Sequence, residues 1–327
     1  MADRWLVEQG IGEHRAVRLS HDGIEEARVQ WPGAQLLAGE VGEARLRERL
    51  GEGSAGRVEF PNGEMAFGTL IPRKLSIGAN VRMVVTREAM AERGRLKLAQ
   101  ARHTQAPVRK APSLVESLRL GGAEAEIVQR FPEVADWDEL WADAAAQAVS
   151  FHGGSLLFAE TPAMTLVDVD GGPLEVIVWN AIPTLARALR RFDLGGNIGV
   201  DFPTVKDKLD RKAIDTRLEE CLQSWPHERT AMNGFGFVQI VARLERPSLL
   251  HRIARHRASA AARLLLRRAE GLEGAGRIEL SAHPAVTDRL TEGWLAELRR
   301  RTGRDIVLRR DPGIAIEAPH AQMIAHD

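Results

Sequence analysis

Three carboxylates stand where a sequence of this kind could do chemistry. Asp168 closes the apolar run Met164-Thr165-Leu166-Val167, Asp201 closes Asn197-Ile198-Gly199-Val200, and Asp170 follows Asp168 by two residues. If both runs are neighbouring parallel strands, Asp168 and Asp201 emerge together at their carboxyl ends, where open α/β sheets place their sites. Alternation along a strand turns Asp170 to the same face. Acids crowded this way repel unless protons or a cation intervene. Mg²⁺ answers that demand, because it takes hard oxygen ligands and binds through one or two carboxylates plus waters, with Mn²⁺ as a substitute. Such an ion can activate a water and neutralise charge on a phosphodiester. An Asp at a strand end also caps helices and turns, and a phospho-accepting receiver domain has acidic strand ends too. The receiver reading requires a five-fold strand–helix repeat that the chain does not show.

The elements that must position these acids can be read from pattern. Between the two strands lies LEVIVW (174–179), whose β-branched residues favour a strand locally. A strand there would send the two acids to opposite edges of the sheet. A single helix starting there, kinked or restarted by Pro183, makes the two strands parallel through a crossover; the helix is the preferred reading. Helices are also expected over VKDKLDRKAIDTRLEECLQSW, where Cys221 falls on the apolar stripe, and over 116–148. A strand is expected at FGFVQIVA.

The first hundred residues read as short strands with hairpin turns at His21-Asp22-Gly23 and Pro61-Asn62-Gly63, the pattern of a small barrel. Phe60 and Phe67 flank the second turn and, on an oligonucleotide-binding barrel, would stack bases; a strand Phe is also ordinary core. Lys97, on the expected last barrel strand, is a candidate phosphate contact. Five units follow: a β layer at 1–34, a barrel at 35–103, a linker with an acidic helical segment at 104–145, an α/β unit at 146–258 and a small α+β unit at 259–327. The fold class is α/β with an inserted all-β barrel.

With 327 residues, 44% hydrophobic and 28% charged, the composition is that of an ordinary globular protein. A net charge of zero conceals segregation. Residues 116–143 carry eight acids against Arg119 and Arg130, and residues 243–268 carry eight arginines against Glu245 alone. The arginines form either a basic face for a polyanion or a solvated helix surface. No apolar run approaches the ~18 residues of a membrane span, MADRWLVEQG lacks signal-peptide blocks, and a single cysteine rules out an internal disulfide. The cytoplasm is the expected location.

SFHGGSLLFAETPAMTLVDVD (150–170) resembles the segment of the RNase E/G family in which a GGS hairpin leads to the first catalytic Asp. LARALRRFDLGGNIGVDF (185–202) resembles its helix, LGG turn and second catalytic Asp strand, and GFGFVQIVARLERPSL (234–249) its FG-containing strand. The three blocks are ordered and spaced as in the family. RIELSAHPAVTDRL resembles the start of the family's small domain, and the N-terminal region its RNase-H-like layer with an inserted oligonucleotide-binding barrel, ahead of a DNase-I-like catalytic domain. The resemblance implies a phosphodiester hydrolase acting on single-stranded RNA, an endoribonuclease of RNA processing. Mg²⁺ would be held by Asp168 and Asp201, and the ends left would be 5′-phosphate and 3′-hydroxyl. It implies RNA contacts at Arg187, with Arg190 one turn away; Arg243 is a further RNA-binding candidate.

The departures are specific. Asp170 stands where the family has Asn, Gly234 where it has a phosphate-contacting Arg, and Gln239 where it has Glu. The cysteines of the family's zinc link are missing, so no zinc-linked dimer is expected and the chain should be a monomer or weak oligomer. Residues 103–146 leave too little room for a 5′-end sensor, which predicts indifference to 5′-monophosphate. The alternative is an RNA-binding relative without catalysis.

Overall fold

The computed structural model describes residues 4–33, 35–51, 53–92 and 94–325. Residues 1–3, 34, 52, 93, 326 and 327, which include both termini and one expected unit boundary, lie outside the described residues. The chain begins as a meander of β1 (Arg4–Gln9), β2 (His14–Ser20) and β3 (Gly23–Gln30). The expected turn joins β2 to β3, with Gly23 at φ 111°, a conformation open to a residue without Cβ.

A barrel follows, built from β4 (Val41–Arg49), β5 (Gly56–Glu59), β6 (Met65–Thr69), β7 (Asn80–Arg87) and, after a short hairpin of β8 (Met90–Glu92) and β9 (Arg95–Lys97), β10 (Ala99–His103). Around the closed barrel the order is β4-β5-β6-β10-β7, with β6 and β10 parallel. This is an OB-like arrangement whose strand-four-to-five connection carries the extra hairpin. Leu46, Val58, Phe60, Ala66 and Met83 fill its interior.

The chain then returns to the first sheet. α1 (Leu114–Leu120) starts on a capping box made by Ser113 and Glu116, and β11 (Glu124–Val128) pairs parallel with β1, completing the order β11-β1-β2-β3. The acidic stretch expected to be helical over 116–148 is thus divided. Gly121 and Gly122 end α1, Gly122 at φ 84°, and the edge of β1 recruits the next residues into a strand. Pairing with a partner 120 residues away overrides local propensity. Helix resumes only at α2 (Trp137–Ala146), capped by Asp136.

The largest sheet has the order β12-β13-β14-β15-β17-β16. Its strands are β12 (Ala148–Phe151), β13 (Gly154–Glu160), β14 (Thr165–Gly171), β15 (Gly196–Asp201), β16 (His227–Arg229) and β17 (Phe237–Ala242). LEVIVW is helical, and β14 and β15 are parallel. The crossover runs through α3 (Leu174–Val176), a π-helical turn (Ile177–Ala181) and α4 (Ile182–Arg191). Pro183 has no amide to give to the preceding turn, and the backbone before it winds wider, Ile182 N donating to Ile177 O. α5 (Lys208–Leu222) links β15 to β16.

α6 (Leu249–Arg255) and α7 (Arg257–Glu270) lead to β18 (Arg277–Ala282), α8 (Pro284–Thr287), α9 (Glu292–Thr302), β19 (Ile306–Arg310) and β20 (His320–Ile324). The last three strands form a small sheet. One continuous core joins it to the six-stranded sheet, through Leu156, Val200, Leu250, Leu265 and Leu280.

The arginines of 243–268 do not make a basic face. Arg252, buried, reaches Glu88 at 3.0 Å on the barrel side. Arg267 meets Glu8 of β1 at 2.7 Å, Arg268 meets Asp138 of α2 at 2.9 Å, and Arg246 meets Asp193 at 3.2 Å. Arg263 donates to the Gly12 carbonyl and lies 3.9 Å from the Trp31 ring centre and 4.7 Å from that of Trp294. Burial draws its pKa down to about 10, which leaves it charged at neutral pH. A guanidinium's planar fork of donors ties two neighbours at once, and here it ties separate units of the chain together.

Candidate active site

Asp168 and Asp201 are register partners across the parallel pair β14–β15. Adjacent strands lie about 4.8 Å apart, and successive side chains alternate between faces. Val167, Val169, Ile198 and Val200 point into the core. Asp168, Asp170 and Asp201 therefore share the opposite face, and all three are exposed. None of the three carboxylates has an ion-pair or hydrogen-bond partner among the described residues. At this separation two like charges repel by about 1 kcal/mol even in water, and more where solvent is thinned.

One expectation needs correction. Asp168 does not end its strand: β14 continues to Gly171, because β13 goes on pairing with it as far as Gly154↔Gly171. What ends at Asp168 is the pairing with β15, so the two strands part at the acid pair. Asp170 lies one step farther along, opposite Ser155 of β13 and away from β15. The structure thus pairs Asp168 with Asp201 and sets Asp170 one step away along β14; among the described residues no group of three acids, His or Cys is gathered as a metal-binding cluster.

The ground beside the acids is apolar. On β17, Phe237 is the register partner of Asp201. Its ring lies over Gly199, where a Cβ would meet Phe237 Cζ at 2.5 Å, Met164 Sδ at 2.9 Å and Leu166 Cδ2 at 3.0 Å. Gly199 is glycine because the ring occupies that space. Before Phe237, the turn Asn233–Gly236 is fixed by Asn233 Oδ1, which accepts from the Phe235 amide at 2.9 Å and the Phe237 amide at 3.1 Å. The Phe235 side chain stands out of this turn, 81% exposed. Sequence reading used the Gly-Phe-Gly-Phe string only as a resemblance and missed what the turn presents; Asn two residues before Phe is an Asx-turn signal that could have revealed it.

Farther down the same face, Asn197 lies about 13 Å from Asp201 along β15. There a cleft of about 170 Å³ opens between the sheet and the β8–β9 hairpin, lined by Lys97, Glu92, Met164, Asn197, His251 and Arg255 among others. Lys97 is in that hairpin rather than on the last barrel strand, and it lies 3.6 Å from Glu92. His251 Nδ1 is 3.1 Å from Glu160 Oε1 at the base of the region.

The remaining candidates scatter. Phe60 is 2% exposed and packs inside the barrel, so it offers no free ring face. Phe67 is half-buried on the outer surface, with Arg57 and Gln100 as its cross-strand neighbours. Arg187 and Arg190 lie on α4, which packs against the core side of the sheet, behind the acids. Arg187 opens into a separate cavity of about 340 Å³ shared with Asp22, Asp136, Glu139, Asp143 and Arg191. Burial pushes the Asp143 carboxyl up from its ordinary range. Arg190 is structural, bonded to Glu25 at 2.6 Å and to the Cys221 carbonyl. Arg243, exposed and paired with Glu245 at 2.8 Å, follows β17 at the end remote from Asp201.

Residues 101–243 match the sequence profile of the Ribonuclease E/G family. Ribonuclease G of Escherichia coli (strain K12) is 33% identical over 112 residues, which is 30% of this chain and 23% of that protein. Ribonuclease G of Salmonella typhimurium (strain SL1344) is similar to the same degree over the same shares. Ribonuclease E of Escherichia coli (strain K12) is 33% identical over 81 residues, 22% of this chain and 8% of that protein. The chain thus matches less than a quarter of the length of these relatives. No described helix is long and apolar enough to cross a membrane. The stretch matched to the Ribonuclease E/G family, 101–243, holds the acid pair, the crossover between its two strands and the Asn233 turn.

Proposed function

We propose that this chain is an endoribonuclease that hydrolyses single-stranded RNA with Mg²⁺, leaving 5′-phosphate and 3′-hydroxyl ends. The observation that carries the reading is the Asp168–Asp201 pair, in register on an uncovered sheet face, without protein partners and inside the family-matched stretch. Two exposed, unpaired carboxylates side by side are a donor set that suits Mg²⁺, which keeps several waters and needs one or two carboxylates; Mn²⁺ should replace it. Bound there, the ion would supply Lewis-acid neutralisation of phosphate charge and a more acidic water.

The chain's own residues do the positioning. Asp168 and Asp201 would hold the ion, and Phe237 over Gly199 makes the neighbouring face apolar. We read the β11-β1-β2-β3 sheet as the RNase-H-like layer, the barrel as an oligonucleotide-binding module, the six-stranded sheet as the DNase-I-like catalytic layer and β18–β20 as the small terminal domain. On the barrel, Phe67 lies with Arg57 on the second and third strands, the usual oligonucleotide-binding surface, and Lys97 lines the cleft between the β8–β9 hairpin and the sheet that carries the acids.

The experiment is incubation of an end-labelled, A/U-rich single-stranded RNA with Mg²⁺ or EDTA, beside Asp168→Asn and Asp201→Asn. Internal cuts should require Mg²⁺ and vanish in both variants while RNA binding is kept. Tight binding without cutting, with Mg²⁺ and with Mn²⁺, would replace this reading by that of an RNA-binding relative without catalysis. Equal cleavage of 5′-mono- and 5′-triphosphorylated substrates is expected.

A further inference from the structure

We propose that Phe235 is the stacking platform that seats the base next to the phosphate being cut, an inference that rests on the reading above. Phe235 is the most exposed large apolar side chain among the described residues. The turn that carries it is held by hydrogen bonds. The Asn233 carboxamide holds the amides on both sides of Gly236, and the Gly236 amide donates to the Asn233 carbonyl at 3.2 Å. Gly236, at φ 91°, presses against the Phe202 and Pro203 carbonyls where a Cβ would be. The Phe202 amide in turn donates to the Gly236 carbonyl at 3.1 Å. The turn that carries Phe235 is therefore fastened to the chain leaving Asp201.

Position and chemistry agree. Phe237 is the register partner of Asp201, and Phe235 sits two residues before it in the turn that leads into β17. Its neighbours are glycines, and Gly234 has nothing within 4 Å of where a Cβ would lie, so no adjacent side chain screens the ring. Position 234 carries no positive charge to draw in a phosphate beside the ring. An exposed neutral ring can hold a nucleotide there by stacking. It accepts any base and needs that base unstacked from its neighbours, which selects single strands over duplex.

The test compares wild type with Phe235→Ala, Phe235→Leu and Phe235→Trp. It measures kcat/KM on single-stranded RNA and, in EDTA, the fluorescence of 2-aminopurine placed in turn along a short RNA. Stacking on one aromatic is worth about 5- to 150-fold by alanine substitution. Phe235→Ala and Phe235→Leu should lose that factor in kcat/KM and lose the fluorescence quenching at one position. Phe235→Trp should retain both, and circular dichroism should be unchanged throughout. Wild-type cutting with all three variants equal to it would overturn the proposal alone. So would unchanged quenching with an altered sedimentation coefficient in Phe235→Ala, which would make the ring a contact between copies of the chain. Wild type that neither binds nor cuts RNA would instead overturn the functional reading, and this inference with it.

Discussion

Two regions of the molecule are rich in charge and treat it oppositely. In the segment 243–268, arginines are bonded to acids from distant parts of the chain: Glu8, Glu88, Asp138, Glu160 and Asp193. On the open face of the six-stranded sheet, Asp168, Asp170 and Asp201 have no partner at all among the described residues. The first region has spent its charge on joining units, and a paired buried charge is not free to meet a phosphate. The second keeps like charges adjacent at an energetic cost that folding does not need. Counting charges along the sequence singles out the arginine segment; asking which charges are left without partners singles out the acids.

The sharpest way to break this contrast is to neutralise one charge in each region. Asp201→Asn should lower turnover on the order of 1,000-fold, since stabilisation of several kcal/mol is removed, while urea unfolding shows stability unchanged or slightly raised. A fall in stability would mean that the acid pair is structural. Arg252→Ala should do the reverse, leaving Glu88 buried without its cation and costing about 3–5 kcal/mol in the same unfolding measurement. A loss below about 1 kcal/mol would show that the arginine segment is not the fastening described here.

A smaller effect sharpens the comparison from the other side. Gly234→Arg places a cation in open space in the turn before β17, at a residue not in the left-handed region. It should raise affinity for single-stranded RNA several-fold and steepen the log–log salt dependence by about 0.7. Smallest is the pH response of the fastened region. Burial lowers the pKa of His14, with the positive charge of Arg301 adding to it, and burial also lowers that of His256. The unfolded chain therefore takes up protons first as pH falls. Thermal stability should be full above the ordinary histidine value of about 6.5, decline as pH drops below it toward the depressed folded values, and then level off with respect to these two groups. A midpoint flat between pH 7 and 5 in a His14→Gln, His256→Gln double variant, against a falling one in wild type, checks this.

Much of the site was legible in the chain itself. Two apolar runs ending in Asp, joined by a segment that had to be helical for the strands to be parallel, gave the crossover and the acid pair. Asp22-Gly23 and Asn62-Gly63 gave two of the hairpins. Three things were hidden, each for a physical reason. β11 forms because β1 offers an edge, and no local pattern in Glu124–Val128 announces a partner so far away. The direction of each arginine depends on which acid the fold brings near it. Phe60 and Phe67 look alike beside one turn, yet strand parity sends one into the barrel and the other to its surface.

The salt bridge between Arg252 and Glu88, with the Glu88 amide bonded to the Glu245 carbonyl at 2.8 Å, bolts the barrel to the layer that carries the acids. The β8–β9 hairpin is thereby held at a set place on the open face, about 13 Å along β15 from the acid pair. Any strand held both in that cleft and at the acids would have to span that fixed distance.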